Sequence, residues 1–198
     1  PSYNKHYNDK LDFIEKSDLL LAISDYVKQE GEQNLSVEKN RIVSVSSASG
    51  IDLDDHFKDI IRQEELNYRF GMNRPYVLCA GASDERKNLP RLIQAYSMLD
   101  ESIRNGYQLV LAGGMPEEHV RKFRLIAKEN GLKKEDLILT GSIEDNDLLA
   151  LYTNCSLYVF PSWHEGFGLP ALEAMACGAP VIGATTTSLP EVIGLQAA

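Results

Sequence analysis

The sequence predicts an α/β fold, a Rossmann-like doubly wound parallel sheet, and two observations support this prediction. From residue 76 onward, short apolar segments alternate with amphipathic segments at a regular interval. That alternation is typical of strand–helix–strand units, whose parallel strands are buried on both faces. In addition, the charged and glycine-rich segments directly follow the predicted strands. Ligands of such sheets bind outside the carboxyl ends of the strands.

Residues 1–50 show the pattern of a partial strand–helix series. Helical spacing over residues 7–16 predicts a first helix, and the apolar run 19–23 predicts a buried parallel strand. Ser24 is expected to cap the following helix, because its hydroxyl can accept a hydrogen bond from an unpaired N–H of the first turn. Residues 41–45 form the next predicted strand.

A second series of elements begins at residue 76 and supplies the larger sheet. Its strands are predicted over 76–80, 108–112, 137–139, 157–160 and 180–182. The helix after the first of these strands has the clearest amphipathic spacing, and Asn88 is its predicted N-cap. The inward positions of that helix are Leu89, Leu92, Ile93, Tyr96 and Leu99.

Composition excludes several function classes. The net charge is −9 and the isoelectric point about 4.9, so no basic surface for nucleic acid is expected. The four histidines are scattered, without metal-ligand spacing to a cysteine, and no metal site is predicted. The three cysteines lie in apolar surroundings, which indicates free thiols in a reducing, cytoplasmic compartment. No apolar run approaches the roughly 20 residues of a membrane span.

Residues 162–191 are the most informative stretch. A short apolar strand leads into Gly166, Phe167, Gly168 and Leu169, and Pro170 then opens a helix. Backbone N–H groups at the start of a helix, together with the helix dipole, favour an anion. Because the glycines allow close approach to the backbone, this pattern predicts a phosphate or diphosphate in front of the loop.

Two glutamates flank this loop, with Glu165 before it and Glu173 about one turn into the helix. A fixed carboxylate at position 173 can accept from two neighbouring hydroxyls, as on a ribose. Glu165 would face a group at the other end of the ligand that carries hydroxyls or develops positive charge. The residues alone leave an alternative open, in which both glutamates only complement the positive N-terminus of the helix.

A basic pair, Arg86 and Lys87, follows the first strand of the larger sheet. The departure of a diphosphate leaving group builds up negative charge, and cations beside it stabilise that charge in the transition state. Arginine offers phosphate a forked pair of donors, and lysine offers a compact charge. The alternative is a solvated loop with Asp84 and Glu85 as its charged neighbours.

The glycine stretch resembles the E-x7-E signature of retaining glycosyltransferases with the GT-B fold, family 4 (group 1); it reads P-S-W-H-E-G-F-G-L-P-A-L-E-A-M-A-C-G-A-P-V-I. In that family the first glutamate, here Glu165, contacts the donor sugar, and the second, here Glu173, holds the ribose. The segment G-A-S-D-E-R-K-N-L is similar to the family's G-x-x-x-x-R-K-N/G, whose lysine, here Lys87, binds the diphosphate. Many members carry arginine where this sequence has Ala82, so the clamp would rest on Arg86 and Lys87.

The resemblance also implies a complete set of site residues. Gly113, Gly141 and Ser142 correspond to walls of the nucleotide pocket, where packing and backbone groups hold the base. Tyr152 and Trp163 are interpreted as packing residues and not as stacking groups. The implied catalytic residues are Glu165, Lys87 and Arg86, and the implied substrate-binding residues are Glu173, Gly166, Phe167, Gly168, Leu169, Gly113, Gly141 and Ser142.

By the same resemblance, residues 1–50 would be the remnant of an N-terminal acceptor domain, 51–73 the interdomain connection, and 74–198 a donor-binding domain incomplete at its C-terminus. We therefore expect a truncated chain that exposes apolar surface and transfers little by itself. The implied reaction moves a sugar from a UDP-, GDP- or ADP-sugar to a hydroxyl of a glycan, lipid or small molecule, with retention, in polysaccharide or glycan biosynthesis. No cofactor or metal is expected, and peripheral membrane association of the full-length protein stays open.

Two alternatives belong to other function classes. A nucleotide-sugar isomerase, such as a 2-epimerase, would need acid–base residues that the sequence does not reveal, and the E-x7-E spacing argues against it. A noncatalytic nucleotide-sugar-binding module is disfavoured by the intact Glu165, Glu173 and Lys87. The sequence identifies neither the sugar, the base nor the acceptor.

Overall fold

The computed structural model describes residues 2–51 and 61–194 of the chain, which form two separate parallel sheets of two and five strands. The described helices are α1 (Ser2–Glu15), α2 (Asp25–Asn34), α3 (Ile61–Phe70), α4 (Leu89–Ser97), α5 (Glu101–Gly106), α6 (Glu117–Glu129), α7 (Asp145–Asn154), α8 (Leu169–Ala176) and α9 (Leu189–Ile193). The strands are β1 (Leu20–Ala22), β2 (Ile42–Ser44), β3 (Tyr76–Ala80), β4 (Gln108–Ala112), β5 (Leu137–Leu139), β6 (Leu157–Phe160) and β7 (Val181–Gly183). None of the described helices has the length and apolar character needed to cross a bilayer.

The five-stranded sheet has the order β5-β4-β3-β6-β7, and every neighbouring pair of strands is parallel. The chain builds outward from β3 to β5 and then returns to the other side of β3 with β6. The strand order therefore reverses between β3 and β6, which opens a crevice between the loops that follow these two strands. The predicted doubly wound parallel sheet is confirmed.

Apolar side chains cover both faces of this sheet. On one face, Leu78 of β3 belongs to a buried cluster that includes Leu151 of α7 and Ala174 of α8. On the other face, Leu111 of β4 belongs to a second cluster that includes Ile93 of α4. Because helices bury both faces, the strands are continuous apolar runs, and these runs made them recognisable in the sequence.

The smaller sheet differs from the prediction for residues 19–23. Its two strands pair in parallel, and Ala22 and Ile42 are buried. However, Leu21 is 61% exposed, so the prediction of a strand buried on both faces was wrong. An unbroken apolar run does not reveal whether a second layer covers the strand.

The predicted interdomain connection lies partly outside the described residues. Residues 52–60 lie outside the described residues, whereas the later half of the predicted connection forms α3. Leu66 of α3 is buried in the core of the five-stranded sheet. Helix α3 thus packs against the five-stranded sheet.

The two predicted helix caps have different outcomes. Ser24 caps α2 as expected, since its Oγ accepts a hydrogen bond from the Val27 N–H at 3.0 Å. Asn88 occupies the N-cap position of α4 but makes no side-chain cap. Its amide Nδ2 instead donates to the carbonyl oxygen of Pro161 at 3.1 Å, which ties the loop after β3 to the loop after β6. Leu99 lies beyond the end of α4 and is exposed.

Candidate functional site

A cluster of three charged side chains lies where the order of the large sheet reverses. Lys87 follows β3, and its Nζ donates to Oε1 of Glu165, which follows β6, at 2.8 Å. Arg86 approaches the other carboxylate oxygen, with 2.7 Å between Nη1 and Oε2. Lys87 and Glu165 are only 7% and 8% exposed, whereas Arg86 is exposed. The structure thus brings the three predicted catalytic residues into one ion cluster.

The electrostatic environment keeps Glu165 ionised. Burial by itself would raise the pKa of this carboxyl group, but the hydrogen bond and charge of Lys87, aided by Arg86, outweigh burial and lower the pKa below its ordinary value. The Lys87 ammonium also lies 4.8 Å from the centre of the Phe160 ring, a favourable cation–π distance. The Glu165 carboxylate therefore stays ionised beside the buried side chain of Lys87.

Hydroxyl groups fix the backbone of the loop that carries Glu165. Oγ of Ser188 lies 2.9 Å from the carbonyl oxygen of Glu165 and 2.8 Å from that of Phe167. Between these two carbonyls, Oγ of Ser24 donates to the carbonyl oxygen of Gly166 at 2.7 Å. Sequence reasoning missed the roles of Ser188 and Ser24 at this loop, because nothing in a sequence shows which distant carbonyl a serine will bind.

Helix α2, which lies between strands β1 and β2 of the two-stranded sheet in the sequence, also contacts the elements around this loop. The Glu191 carboxylate accepts from the Asp25 N–H at 3.0 Å, at the start of α2 where N–H groups are unpaired. Next to Glu165, the His164 ring nitrogen Nε2 lies 3.0 Å from the Glu30 carboxylate of α2. The N-terminal segment therefore packs directly beside the ion cluster.

The glycine loop opens α8 as the sequence indicated. Gly168 is the N-cap residue of α8 and has a φ of +114°, a conformation that favours glycine. A Cβ atom there would lie 2.9 Å from the Leu189 side chain, so both backbone and space restrict this position. Phe167 is buried, and Leu169 is the partly exposed first residue of the helix.

The predicted pocket walls meet at the same edge of the sheet. After β4, the Gly113 N–H donates to the carbonyl oxygen of Gly141, which follows β5, at 3.2 Å. Gly113 has a φ of +131°, and a Cβ there would lie 2.4 Å from the Gly81 carbonyl oxygen, so a side chain would collide with backbone. Ser142 adjoins this bridge, with its Oγ 2.7 Å from the position of a Cβ on Gly114.

Glu173 has a different environment from Glu165. It lies on α8, half-buried, and its Oε2 accepts a hydrogen bond from the Tyr152 hydroxyl at 3.3 Å. Burial, followed by the charge of Glu173, raises the pKa of Tyr152, so this hydroxyl stays protonated and donates. Among the described residues, no direct hydrogen bond or ion pair joins Glu173 to Lys87 or Glu165.

The two aromatic residues interpreted as packing residues have different environments. Tyr152 is buried and packs edge-on against Tyr158, with 5.4 Å between ring centres, so its interpretation as a packing residue is confirmed. Trp163 is 45% exposed, and the Arg91 guanidinium lies 5.4 Å from its ring centre. The packing interpretation of Trp163 stays a prediction.

Within residues 2–51 and 61–194, no group of three or more histidine, cysteine, aspartate or glutamate side chains could hold a metal ion. The independence from metal stays a prediction. The three cysteines are buried free thiols, as the apolar context indicated.

Comparison with known sequences identifies a family. The profile of the family described as "Glycosyl transferases group 1" matches residues 58–197. The serotype-specific mannosyltransferase WbdA of Escherichia coli is 38% identical over 196 residues, covering 99% of this chain and 24% of that protein. The O-antigen chain mannosyltransferase B of Escherichia coli is 33% identical over 206 residues, covering 98% of this chain and 52% of that protein. The chain thus spans between about a quarter and half of the length of these relatives.

Comparison with solved structures agrees at the level of the fold. WaaG, a glycosyltransferase involved in lipopolysaccharide biosynthesis, matches with a TM-score of 0.71 at 23% identity, covering 88% of this chain and 46% of that one. Anabaena Alr3699/HepE, solved in complex with UDP and glucose, matches with a TM-score of 0.79 at 19% identity, covering 93% and 49%. At these identities the likeness establishes the shared α/β architecture.

Proposed function

This chain belongs to the group 1 glycosyl transferases, and from that premise we propose that it supplies the donor site of a retaining family 4 glycosyltransferase. The reaction would transfer a sugar from a nucleoside diphosphate sugar to an acceptor hydroxyl and keep the anomeric configuration. The observation that carries the proposal is the buried Lys87–Glu165 ion pair, with Arg86 beside it, at the reversal point of the sheet. This crevice is where doubly wound sheets bind their ligands.

The cations of the cluster would bind the diphosphate. The Lys87 ammonium has three donors, and Glu165 accepts one of them, so it can also donate to phosphate. Arg86 is exposed and can turn its guanidinium toward a second phosphate oxygen. Because Glu165 already holds the Lys87 ammonium in place, this cation can stabilise the charge of the departing diphosphate with little rearrangement.

Glu165 would act as an anion and not as a proton donor. Its lowered pKa keeps it ionised at neutral pH, so it would orient the sugar hydroxyls and stabilise the positive charge of an oxocarbenium-like transition state. In the proposed front-side route, the bond between the acceptor oxygen and the anomeric carbon forms as the bond to the diphosphate oxygen breaks. The acceptor proton passes to the departing diphosphate.

Glu173 would hold the ribose. Its half-buried carboxylate accepts one hydrogen bond from Tyr152, and its other acceptor sites can receive two adjacent hydroxyls. The pocket walls at Gly113, Gly141 and Ser142 would hold the base through backbone groups and packing. We propose a UDP-, GDP- or ADP-sugar as the donor and no further cofactor.

The names of the relatives support a proposal for the wider role of the whole protein. Both Escherichia coli relatives are named as mannosyltransferases, and one is named for the O-antigen chain. We therefore propose mannose as the transferred sugar and a surface glycan as the acceptor. Residues 1–50 would belong to an acceptor-binding domain, 51–73 to the connection and 74–198 to the donor domain. The three buried free thiols support a reducing, cytoplasmic setting.

Ligand-induced stabilisation tests the donor site. One of UDP-, GDP- and ADP-mannose should raise the melting temperature, because a ligand that binds only the folded chain stabilises it. Lys87→Met should abolish that shift, and Lys128→Met, on the exposed face of α6, should retain it. Failure of all three donors, or an unchanged shift in Lys87→Met, would contradict the proposal.

We propose that transfer needs an acceptor-binding domain as well, so the reaction is tested on a longer protein that contains one. With a mannosyl acceptor, we expect NMR of the product to show the same anomeric configuration as the donor. Inversion would contradict the proposed mechanism, and epimerised donor formed without an acceptor would indicate an isomerase.

A further inference from the structure

A second cleft adjoins the ion cluster without containing Lys87 or Glu165. It has a volume of about 450 Å³ and lies among the loop after β3, the first turns of α4 and α6, and Trp163. None of the residues that line it belongs to the sites assigned above. Its size suits one or two monosaccharide units and lies within the range of small-molecule pockets.

The walls of this cleft are tied together by hydrogen bonds. Oγ of Ser83, in the loop after β3, lies 2.8 Å from the ring nitrogen Nδ1 of His119 on α6. The backbone N–H of Trp163 donates to the carbonyl oxygen of Arg86 at 2.8 Å. The cleft is therefore formed before any ligand arrives, which lowers the entropy lost on binding.

The charges of the cleft favour a neutral ligand. Asp84 and Glu85 lie on one wall, and Arg91 and Lys122 contribute two positive charges. Helix α6 begins beside the cleft with two acidic residues, Glu117 and Glu118, which oppose an anion at that helix N-terminus. A phosphate group would meet carboxylates here, whereas a neutral molecule with many hydroxyls would find both donors and acceptors.

Several polar groups of the cleft have no protein partner. Within residues 2–51 and 61–194, the Glu85 carboxylate, the Lys122 ammonium and the Trp163 indole N–H form no hydrogen bond or ion pair. Trp163 also offers a large, partly exposed ring, with the Arg91 guanidinium 5.4 Å from its centre. An aromatic surface bordered by unpaired polar groups can pack on the apolar face of a sugar ring and bind its hydroxyls.

The Arg86 side chain lies between the cleft and the ion cluster. Nε of Arg86 lies 3.1 Å from Asp84 Oδ1, on the wall of the cleft, and Nη1 of the same guanidinium contacts Glu165. We propose that this cleft binds a neutral saccharide segment of the glycan acceptor, next to the reacting centre. This proposal depends on the proposed transfer function and adds an acceptor subsite on the donor domain.

Binding of α-linked mannotriose to this chain tests the proposal. Isothermal titration and saturation-transfer NMR should detect binding, and Trp163→Ala should weaken it at least tenfold. Glu85→Gln and Lys122→Met change exposed side chains and should each weaken it two- to fivefold. Tyr68→Ala is the aromatic control, since Tyr68 is exposed on α3 outside the cleft, and it should leave the affinity unchanged.

A parallel titration with UDP, GDP and ADP separates this proposal from the donor site. Trp163→Ala should keep nucleotide affinity within twofold, which also shows that the variant is folded. Nucleotide binding without mannotriose binding, or mannotriose binding insensitive to Trp163, would overturn the cleft alone. If the wild type binds mannotriose but no nucleotide, and Trp163→Ala loses the mannotriose binding, the result would support the cleft and contradict the donor site. Displacement of mannotriose by inorganic phosphate would overturn the charge argument.

Discussion

Glu165 and Glu173 flank the same glycine loop, yet the fold gives them different surroundings. Glu165 is buried, and two cations occupy its carboxylate oxygens. Glu173 is half-buried on α8 and accepts one longer hydrogen bond, from Tyr152. Both residues are glutamates, so this difference comes from the side chains that surround each of them.

The difference lies in what each carboxylate can still bind. The charge of Glu165 is compensated by its partners, so its removal would disturb the protein before any ligand is present. Glu173 keeps acceptor capacity and is better suited to a ligand than to the stability of the fold. Matched substitutions at the two positions should therefore separate stability from binding.

The largest difference should appear in the free energy of unfolding. Glu165→Gln leaves the buried Lys87 ammonium without its carboxylate, and we expect a loss of about 2–3 kcal/mol. Glu173→Gln should lose less than about 0.5 kcal/mol, because a half-buried amide can still accept from Tyr152. Urea unfolding at pH 7, followed by circular dichroism, measures both. Equal losses would show that the two environments do not differ energetically.

Nucleotide affinity should show the reverse order. Glu173→Gln should weaken binding of the cognate nucleoside diphosphate about tenfold, since charge-assisted hydrogen bonds to two ribose hydroxyls are lost. Glu165→Gln should not weaken it, because Lys87 and Arg86 become more available to the diphosphate. Isothermal titration checks this, with a 2′,3′-dideoxy nucleotide as the control that should bind Glu173→Gln and the wild type equally. A larger loss in Glu165→Gln would reverse the assignment.

Tyr152→Phe should have a smaller effect. It removes the hydroxyl that binds Glu173, and we expect about 0.5–1 kcal/mol of lost stability. Nucleotide affinity should stay within about twofold, because the Glu173 carboxylate itself remains. Denaturation and titration of this variant measure both quantities. A tenfold loss of affinity would instead show that Tyr152 orients Glu173 for the ribose.

A pH titration tests the same ion pair without a substitution, because burial and the cations oppose each other in setting the pKa of Glu165. The folded-state pKa is lowered, so the unfolded chain binds the proton first as the pH falls. The resulting stability is fully present above the ordinary glutamate pKa of about 4.3 and is lost as the pH falls through the folded-state value. Stability measured between pH 6 and pH 3 should therefore fall more steeply in the wild type than in Glu165→Gln. Parallel curves would contradict the ion pair.

The sequence predicted the larger sheet well, because β3 to β6 are apolar runs buried on both faces. It also predicted that Arg86, Lys87 and Glu165 follow strands that meet at one edge of the sheet. It could not predict the Lys87–Glu165 bond, because local spacing does not define a contact between side chains on two separate loops. The exposure of Leu21 was missed for a similar reason, since burial depends on which layers the rest of the chain provides.

A crystal structure of this chain soaked with the mannose donor that stabilises it would test the proposed site most directly. We expect diphosphate oxygens within about 2.7–3.2 Å of Lys87 Nζ and the Arg86 guanidinium, with the ribose hydroxyls on Glu173. Donor density elsewhere, or an intact Lys87–Glu165 pair with no phosphate beside it, would contradict this assignment.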